Sequence, residues 1–319
     1  MKLNSSNTMN KLILIISTMI SMNSNNWMTM WMMMEINLFM FMPLMSKKKM
    51  KDQPMKYFII QSLSSSMMMM AILSSTLKNK MIKESIIMSM SMTMKLGMSP
   101  LHIWVPEIMS KLKWKECLLM MTLMKLTPMI MINQMSSIKM MMMTMIMSMI
   151  TGSVSGMSQT SLKKMMAYSS ISNSSWMISA FMMKKSTSIS FTMIYFLMNF
   201  MVINQMKKNN LIKMNQMMNM KKNEKMQMTL SMMSISGLPP TMGFFMKWII
   251  MKEMITKSII LSSTMILTSI LSMFFYIQCN TTNMMNSSTK KKNKKSNKTK
   301  SMLMLNLTGI PLMFLIKSS

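Results

Sequence analysis

Four charged residues lie within stretches of the sequence that are otherwise apolar enough to cross a membrane. They are Glu35, Lys95, Lys125 and Lys247. A charge at the centre of a bilayer costs about 2.5–3.5 kcal/mol on insertion scales, so such residues usually mark the path of an ion or a proton. A lysine can also release its proton when it is buried. The sequence therefore predicts a proton relay through these four side chains.

Each of these residues also has a purely structural explanation. A lysine near the end of a span, such as Lys95 or Lys247, can extend its stem so that the ammonium reaches the headgroups. Lys125 lies in the middle of its span, so this explanation fits it least. The glutamate side chain is short, and the alternative for Glu35 is a buried structural hydrogen bond.

His102 is the single histidine of the chain. Histidine is the residue type that changes its charge near neutral pH, which suits a proton relay. An isolated histidine beside Trp104, Pro100 and Pro106 also fits a packing role, and both explanations stay open.

The composition is that of a membrane protein that crosses the bilayer many times. Half of the 319 residues are hydrophobic and the mean hydropathy is +0.28. The net charge of +30 would suggest a nucleic-acid partner in a soluble protein. Here the lysines cluster between apolar spans, so we expect no nucleic acid. The chain contains 67 methionines, and nothing about a membrane makes methionine preferable to leucine. Their number instead indicates an A+T-rich genome, and such genomes are associated with animal organelles.

The apolar runs predict an all-α protein with about ten or eleven transmembrane helices. A closed barrel would need alternating segments of about ten residues, which the sequence lacks. The predicted spans are Leu3–Met22, Trp27–Met45, Met55–Leu77, Met81–Met98, Cys117–Asn133, Ile138–Gly156, Leu162–Met183, Ser188–Gln205, Met226–Met251, Thr256–Gln278 and Met302–Ile316.

The lysines of the connecting segments predict the orientation of the chain. On this map most of them lie on the side of the N-terminus, in residues 47–51, 111–115, 163–164, 207–225 and 290–300. The positive-inside rule therefore places the N-terminus on the inner, matrix-equivalent side. The mixture of apolar residues, amides and lysines in residues 207–225 predicts a surface helix. The polar composition of residues 281–300 predicts a lysine-rich loop.

Two of the spans carry residues that interrupt a helix. The segment KLGMSPLHIWVPE (95–107) contains one glycine and two prolines, and SGLPPTMGFFMKW (236–248) contains two of each. Proline lacks a backbone donor and disfavours a helical residue before it. Interrupted helices at membrane depth line cavities or pack against protein, and transporters use them to face ions. We therefore expect discontinuous helices beside Lys95 and Lys247.

Redox chemistry has no visible site in the sequence. Cys117 and Cys279 are isolated, and there is no glycine-rich dinucleotide fingerprint and no histidine pair for haem. We expect neither a metal site nor a cofactor site in this chain.

Five segments together resemble the chain 2 family of antiporter-like membrane subunits of NADH–ubiquinone oxidoreductase, the respiratory complex I. They are, in order, MEINLFMFMPLM (34–45), KLGMSPLHIWVPE (95–107), LMKLTPM (123–129), MAYSSISNSSWM (166–177) and SGLPPTMGFFMKW (236–248). One departure is Ile103, where the family often has phenylalanine. The resemblance covers most of residues 28–253.

This resemblance implies a single antiporter-like domain over residues 1–319 that translocates protons. Glu35 would be the helix carboxylate, Lys95 its partner, Lys125 the central lysine and Lys247 the distal lysine. NADH, FMN, the iron–sulfur clusters and ubiquinone would be bound by other subunits of the complex. The implied partners are other membrane-arm subunits, especially neighbouring antiporter-like chains, and a phospholipid such as cardiolipin. The implied location is the mitochondrial inner membrane. The alternatives are a stand-alone cation/proton antiporter and a purely structural membrane-arm subunit.

Overall fold

A computed structural model describes residues 2–46, 52–77, 81–133, 138–183 and 185–285. In these residues the chain forms thirteen α-helices and one 3₁₀ helix, Met214–Asn219. The α-helices are α1 (Lys2–Asn23), α2 (Trp27–Met45), α3 (Asp52–Leu77), α4 (Met81–Leu96), α5 (Trp104–Lys111), α6 (Trp114–Met121), α7 (Leu123–Asn133), α8 (Ile138–Met157), α9 (Leu162–Phe181), α10 (Lys185–Lys208), α11 (Lys222–Ser236), α12 (Met242–Ile255) and α13 (Ile259–Met285).

The all-α, polytopic fold predicted from the sequence is confirmed. Six stretches of the described helices are long and apolar enough to cross a membrane. They are Trp27–Met45, Asp52–Ser74, Trp114–Asn133, Met140–Met157, Ser186–Lys208 and Ile259–Thr281. The remaining predicted spans that fall within the described residues correspond to α1, α4, α9 and the pair formed by α11 and α12. These helices contain many serines or belong to an interrupted span.

The structure differs from the predicted elements in three places. The span predicted at Cys117–Asn133 is divided at Thr122 into α6 and α7. The predicted surface helix at 207–225 is wrong, because these residues form the end of α10, a turn, the 3₁₀ helix and the start of α11. Residues 281–285 continue α13 and are not loop; the rest of that predicted loop and the predicted span Met302–Ile316 lie outside the described residues.

The chain divides into two compact units, Met1–Ser148 and Met149–Ser319. The single domain expected over residues 1–319 stays a prediction. In the first unit, α2 packs against α1 and α3, and α3 packs against α4 and α5. Helix α7 packs against α1, α2, α4 and α6. The helices that carry the charged residues of this unit are therefore neighbours.

The second unit is built around the serine-rich helix α9. Sixteen of its twenty residues are buried, and it packs against α10 and α12. Its serine hydroxyls donate to carbonyls of the preceding turn, as Ser170 does to Ala167 and Ser174 does to Ile171. Because these hydroxyls are satisfied within the helix, a polar segment can lie inside the unit without unpaired donors.

Candidate proton-relay site

The first interruption follows α4, which ends at Leu96. The chain turns at Gly97, whose φ of +67° favours glycine, and resumes as a helix at Trp104. A Cβ atom on Gly97 would overlap the side chain of Val105, so glycine is also needed for the close return of the chain. The Ser99–Pro100 peptide bond is cis. The discontinuity predicted at this segment is confirmed.

Lys95 lies in the last turn of α4 and faces Glu35 of α2. Its Nζ is 3.7 Å from Glu35 Oε1 and 3.8 Å from Met34 Sδ. The Lys95 residue is 8% exposed and the Glu35 side chain is 19% exposed. The lysine is therefore enclosed by neighbouring helices and paired with a carboxylate.

The backbone beside the pair is held by a third helix. Gln61 Nε2 of α3 donates to the carbonyl oxygen of Lys95 at 3.3 Å. The last carbonyls of a helix lack partners within the helix, and this amide satisfies one of them. Gln61 was not singled out in the sequence, because a single glutamine in a span does not show which backbone group it will reach.

Lys125 lies on α7 and is 6% exposed. Helix α7 packs against α2 and α4, which carry Glu35 and Lys95. The backbone is irregular just before it: Thr122 has φ −115° and ψ −86°, and the N–H of Lys125 donates to the Thr122 carbonyl at 3.1 Å. Lys125 therefore lies inside the first unit, on a helix that packs against both of the helices that carry the ion pair.

The second interruption separates α11 from α12. Helix α11 ends at Ser236, Gly237 adopts φ +87°, and α12 begins at Met242. Gly243, in the first turn of α12, lies so close to α11 that a Cβ atom there would overlap the Ser234 carbonyl oxygen. The discontinuity predicted at this segment is also confirmed.

Lys247 extends from α12 back to the interrupted end of α11. It is 9% exposed, and its Nζ donates to the Ser236 carbonyl oxygen at 2.8 Å. The same Nζ lies 5.6 Å from the centre of the Trp176 ring of α9. A helix C-terminus carries partial negative charge, and an indole face attracts a cation. Both contacts stabilise an ammonium without a carboxylate.

His102 lies in the turn between α4 and α5, where it is half-buried. Its Nδ1 is 3.3 Å from the Pro100 carbonyl oxygen, and its own carbonyl accepts from the N–H of Val105. These contacts hold the turn that follows Lys95. A relay role for His102 stays a prediction.

The structure thus brings Glu35 and Lys95 together and buries Lys125 on an adjoining helix. It places Lys247 in the second unit with Ser236 and Trp176. The sequence did not indicate the Trp176 contact, although Trp176 lies in a segment that resembles the family. Within the described residues, no group of three or more His, Cys, Asp and Glu side chains could hold one metal ion.

Comparisons with known proteins show what the chain as a whole is similar to. Residues 24–275 match the family described as NADH:quinone oxidoreductase/Mrp antiporter, TM. The chain is 37% identical over 281 residues to NADH-ubiquinone oxidoreductase chain 2 of Locusta migratoria, covering 83% of this chain and 81% of that one. It is 31% identical over 290 residues to the chain 2 protein of Anopheles gambiae, covering 86% and 84%.

Solved structures share the fold at low sequence identity. A chain of respiratory complex I from Thermus thermophilus has a TM-score of 0.79 at 14% identity, covering 97% of this chain and 77% of that one. A chain of the membrane-bound sulfane sulfur reductase, an archaeal respiratory membrane complex, has a TM-score of 0.82 at 12% identity, covering 97% and 73%. From the family match and the identity to its relatives, the chain belongs to the NADH:quinone oxidoreductase/Mrp antiporter family and, within it, to the NADH-ubiquinone oxidoreductase chain 2 proteins.

Proposed function

We propose that the chain is a proton-translocating subunit of the membrane arm of NADH:ubiquinone oxidoreductase. In this proposal protons move through Glu35, Lys95, Lys125 and Lys247. The observation that carries it is the Lys95–Glu35 pair at the end of an interrupted helix, in which Lys95 is buried, Glu35 is half-buried, and Nζ lies 3.7 Å from Oε1. Structural lysines are rarely enclosed within a membrane helix bundle, whereas proton pathways require such residues.

The first step is electrostatic. An ionised Glu35 favours the ammonium form of Lys95, because opposite charges at this separation attract strongly in a medium of low dielectric constant. When a proton neutralises Glu35, or the two groups separate, Lys95 loses that stabilisation. Its proton then passes to an acceptor on the path to Lys125, and Lys95 remains as a neutral amine.

The second step depends on repulsion between ammonium groups. Neighbouring helix axes lie about 9 Å apart, and two unit charges at that distance repel by about 2 kcal/mol at an effective dielectric constant of about 20. That energy changes a protonation equilibrium by more than about tenfold. A proton on Lys95 therefore disfavours one on Lys125, and the occupied site alternates.

Lys247 is the last site of the proposed relay. The Ser236 carbonyl and the Trp176 ring stabilise its ammonium. These groups do not titrate, so the affinity of Lys247 for a proton changes only when another charge approaches or when its contacts move. The transfer from Lys125 to Lys247 is part of the proposal.

The redox reaction belongs to other subunits in this proposal. NADH, FMN, the iron–sulfur clusters and ubiquinone would be bound there, and ubiquinone chemistry would drive the relay. We further propose that the chain lies in the mitochondrial inner membrane with its N-terminus on the matrix side. Its partners would be other membrane-arm subunits, including neighbouring antiporter-like chains, and a phospholipid such as cardiolipin, with no nucleic acid.

Replacing Lys125 with methionine in the whole complex tests the proposal. Methionine is close to lysine in length and is apolar, so Lys125→Met should leave assembly and NADH oxidation by the redox subunits possible but lower the protons translocated per NADH. Lys252→Met is a matched control, because Lys252 is exposed at the end of α12. Unchanged translocation in Lys125→Met would favour the purely structural subunit.

The stand-alone antiporter is tested with the chain in isolation. The purified chain is reconstituted into vesicles, and a sodium or potassium gradient is imposed across the membrane. A subunit of the oxidoreductase should not exchange protons for these cations without its partners. Exchange by the isolated chain, lost in Lys125→Met, would favour the antiporter.

A further inference from the structure

The ammonium of Lys95 contacts a thioether as well as a carboxylate. Its Nζ is 3.7 Å from Glu35 Oε1 and 3.8 Å from Met34 Sδ. An ordinary N–H···O hydrogen bond is about 2.7–3.2 Å long, so the carboxylate contact is an ion pair at longer range. A thioether sulfur is only a weak acceptor. The ammonium is therefore loosely held, as the release of its proton in the proposed relay requires.

Met34 differs from two other buried methionines in the group that its sulfur contacts. The sulfur of Met166 lies 4.0 Å from the Tyr276 hydroxyl, and that of Met165 lies 3.3 Å from the Cys279 sulfur. These partners are a hydroxyl and a thiol, whereas the partner of the Met34 sulfur is an ammonium that the proposed relay uses. A chemical change at this sulfur would therefore act directly on the relay.

The chemical change that a methionine undergoes most readily is oxidation by a peroxide, which turns the apolar thioether into a polar sulfoxide. The sulfur gives an electron pair to one oxygen of hydrogen peroxide, so an S–O bond forms and the O–O bond breaks. The other oxygen leaves as water with both hydrogens. The sulfur is oxidised by two electrons and the peroxide is reduced by two, and Lys95 keeps its protons in this step.

The Met34 sulfur is enclosed, but it lies beside a polar group that solvent reaches. Met34 is 5% exposed, and the side chain of Glu35, the next residue, is 19% exposed. Glu35 Oε1 has no hydrogen-bond partner among the residues that the structure describes. Where a protein partner is lacking, a buried oxygen is almost always paired with ordered water. Hydrogen peroxide is small and forms the same hydrogen bonds as water, so it can take that place beside the sulfur.

The sulfoxide oxygen would be a much better partner for the ammonium than the sulfur is. An oxygen added to Met34 Sδ on the side of Lys95 lies one bond length nearer to Nζ. The contact then shortens from 3.8 Å to a hydrogen bond of about 2.7–3.2 Å. A hydrogen bond from a charged donor is about twice as strong as a neutral one. The ammonium would thus gain a strong acceptor that stays the same whether or not Glu35 carries a proton.

The second unit already contains a lysine that is held in this way. Lys247 Nζ donates to the Ser236 carbonyl oxygen at 2.8 Å, and that oxygen, like a sulfoxide oxygen, is the negative end of a dipole and does not titrate. Oxidation of Met34 would therefore give Lys95 a contact of the kind that Lys247 has. Lys95 would change from a lysine that Glu35 controls into a lysine that is held.

We propose that Met34 is an oxidation site, at which a peroxide forms the sulfoxide, the sulfoxide oxygen holds the Lys95 ammonium, and proton translocation slows. The inference rests on the proposed function, because it requires Lys95 to release its proton. Met34 is a positioning residue. It acts through Lys95 and does not carry the proton itself.

Hydrogen peroxide added to the assembled complex in vesicles tests the oxidation. Mass spectrometry of the digested complex gives the fraction of Met34 that carries the extra oxygen, and the protons translocated per NADH oxidised are measured before and after treatment. In the oxidised fraction this ratio should fall about tenfold, which corresponds to about 1.4 kcal/mol. Absence of the sulfoxide at Met34 after treatment would overturn the proposal.

Two variants separate Met34 from other targets of the peroxide. Leucine cannot be oxidised, so Met34→Leu should keep its own starting ratio after treatment. Met30→Leu is the matched control, because Met30 lies one turn earlier on the same face of α2 and is 1% exposed. This variant should lose translocation as the wild type does. Equal losses in the wild type, Met34→Leu and Met30→Leu would contradict a role for Met34.

A variant that needs no peroxide tests the held ammonium. Met34→Gln places a fixed amide oxygen near Lys95 and should lower the ratio about tenfold relative to Met34→Leu. Met30→Gln is the control for a buried amide on this face and should not lower it. Translocation by Met34→Gln at the level of Met34→Leu would overturn the proposal.

The pH response distinguishes a held ammonium from a damaged fold. An added acceptor favours the ammonium form, so release of the proton needs a lower proton concentration. Translocation by Met34→Gln should therefore recover when the pH is raised by about one unit, whereas a structural defect would not recover. The titratable groups Glu35, Tyr57 and Lys125 on neighbouring helices are the same in Met34→Gln and Met34→Leu, so a difference between these variants comes from position 34.

The results also separate this inference from the proposed function. If Lys125→Met lowers translocation but peroxide and Met34→Gln do not, the oxidation site is wrong and the proposed function stands. If Lys125→Met translocates protons normally, the proposed function fails, and this inference fails with it. Lowered translocation in Lys125→Met, in Met34→Gln and in the oxidised wild type, with protection in Met34→Leu, supports both.

Discussion

The two interrupted helices place their lysines on opposite sides of the break. Lys95 comes two residues before Gly97, in the last turn of α4, and faces the carboxylate of Glu35. Lys247 comes ten residues after Gly237, in α12, and returns to the Ser236 carbonyl at the end of α11. The two breaks are of the same kind, but Lys95 is paired with a charged carboxylate whereas Lys247 is paired with the dipole of a backbone carbonyl.

This difference determines what can change the charge of each lysine. A carboxylate can itself take a proton, so the environment of Lys95 can switch while the backbone stays in place. A backbone carbonyl and an indole ring keep the same polarity at every pH, so Lys247 responds only to other charges or to movement. In the proposed relay, the proton would therefore enter at the first break and be held at the second.

The largest effect is expected from Glu35→Gln. Glutamine keeps the shape of the side chain but cannot be ionised, so the charged form of Lys95 loses its partner. A loss of about 1.4 kcal/mol or more at this pair corresponds to about a tenfold or larger drop in proton transfer. Reconstituted proton flux per NADH oxidised measures it.

The matched control is Glu107→Gln. Glu107 pairs with Lys56 at 3.1 Å, but both side chains are more than half exposed, and exposed pairs contribute little. Flux in this variant should stay at the wild-type level. Normal flux and coupling in Glu35→Gln would mean that Glu35 is structural and that the relay does not begin there.

The two breaks themselves were predictable from the sequence. Glycine and proline act through the backbone of their own segment, and the breaks fall at Gly97–Pro100 and Gly237–Pro240 as expected. The bounds of α2 also agree, because an apolar run between polar segments sets them. The buried positions of Lys95, Lys125 and Lys247 agree with the sequence too, since a charge within a membrane span needs an enclosed position.

The partners of the lysines were less predictable, because they come from distant segments. No local pattern shows that Lys247 will reach Ser236 or lie beside Trp176. The division at Thr122 has no glycine or proline at the break. The bond from the Thr122 hydroxyl to the Leu118 carbonyl at 2.7 Å does not single the position out, because Thr268 makes the same kind of bond to Thr264 within the continuous helix α13. The 3₁₀ helix at Met214–Asn219 begins next to an antiparallel bridge between Lys213 and Ser161, a residue far away in the sequence.

Replacing each lysine in turn should destabilise the complex by different amounts at the two breaks. Lys95→Met leaves the Glu35 carboxylate without its cation and should destabilise the complex by about 3 kcal/mol, the low end for an uncompensated buried charge. Lys247→Met leaves only a carbonyl and should cost about 1 kcal/mol. Thermal unfolding of the purified complex measures both.

A second variant separates charge from packing. Adding Glu35→Gln to Lys95→Met removes the stranded carboxylate, so stability should return towards the wild type while proton flux stays low. Equal losses of stability in Lys95→Met and Lys247→Met would show that the two lysines are balanced in the same way. The comparison between a charge and a dipole would then be wrong.

Replacing the glycines at the two breaks should give a smaller difference in stability between the two positions. Alanine at a positive φ costs about 1–2 kcal/mol at either position. At Gly97 the new Cβ would also overlap the Val105 side chain, whereas at Gly237 it would meet the flexible Lys247 stem, with Cδ at 3.1 Å. Gly97→Ala should therefore lower the unfolding temperature more than Gly237→Ala, and the reverse order would contradict this account of the breaks.

The smallest effect is expected from Trp176→Phe. The ammonium of Lys247 lies 5.6 Å from the centre of the Trp176 ring, and phenylalanine attracts a cation less strongly than tryptophan does, by at most about 1 kcal/mol here. Proton flux should fall by no more than about fivefold. Trp248→Phe is the control, because Lys252 lies at a similar 5.9 Å from its ring at an exposed position. Lys252 is not part of the proposed relay, so the loss of that contact should not alter flux. If Trp176→Phe also leaves flux unchanged while Lys247→Met abolishes it, the Ser236 carbonyl alone stabilises the ammonium, and the second break would depend on the end of α11 and not on α9.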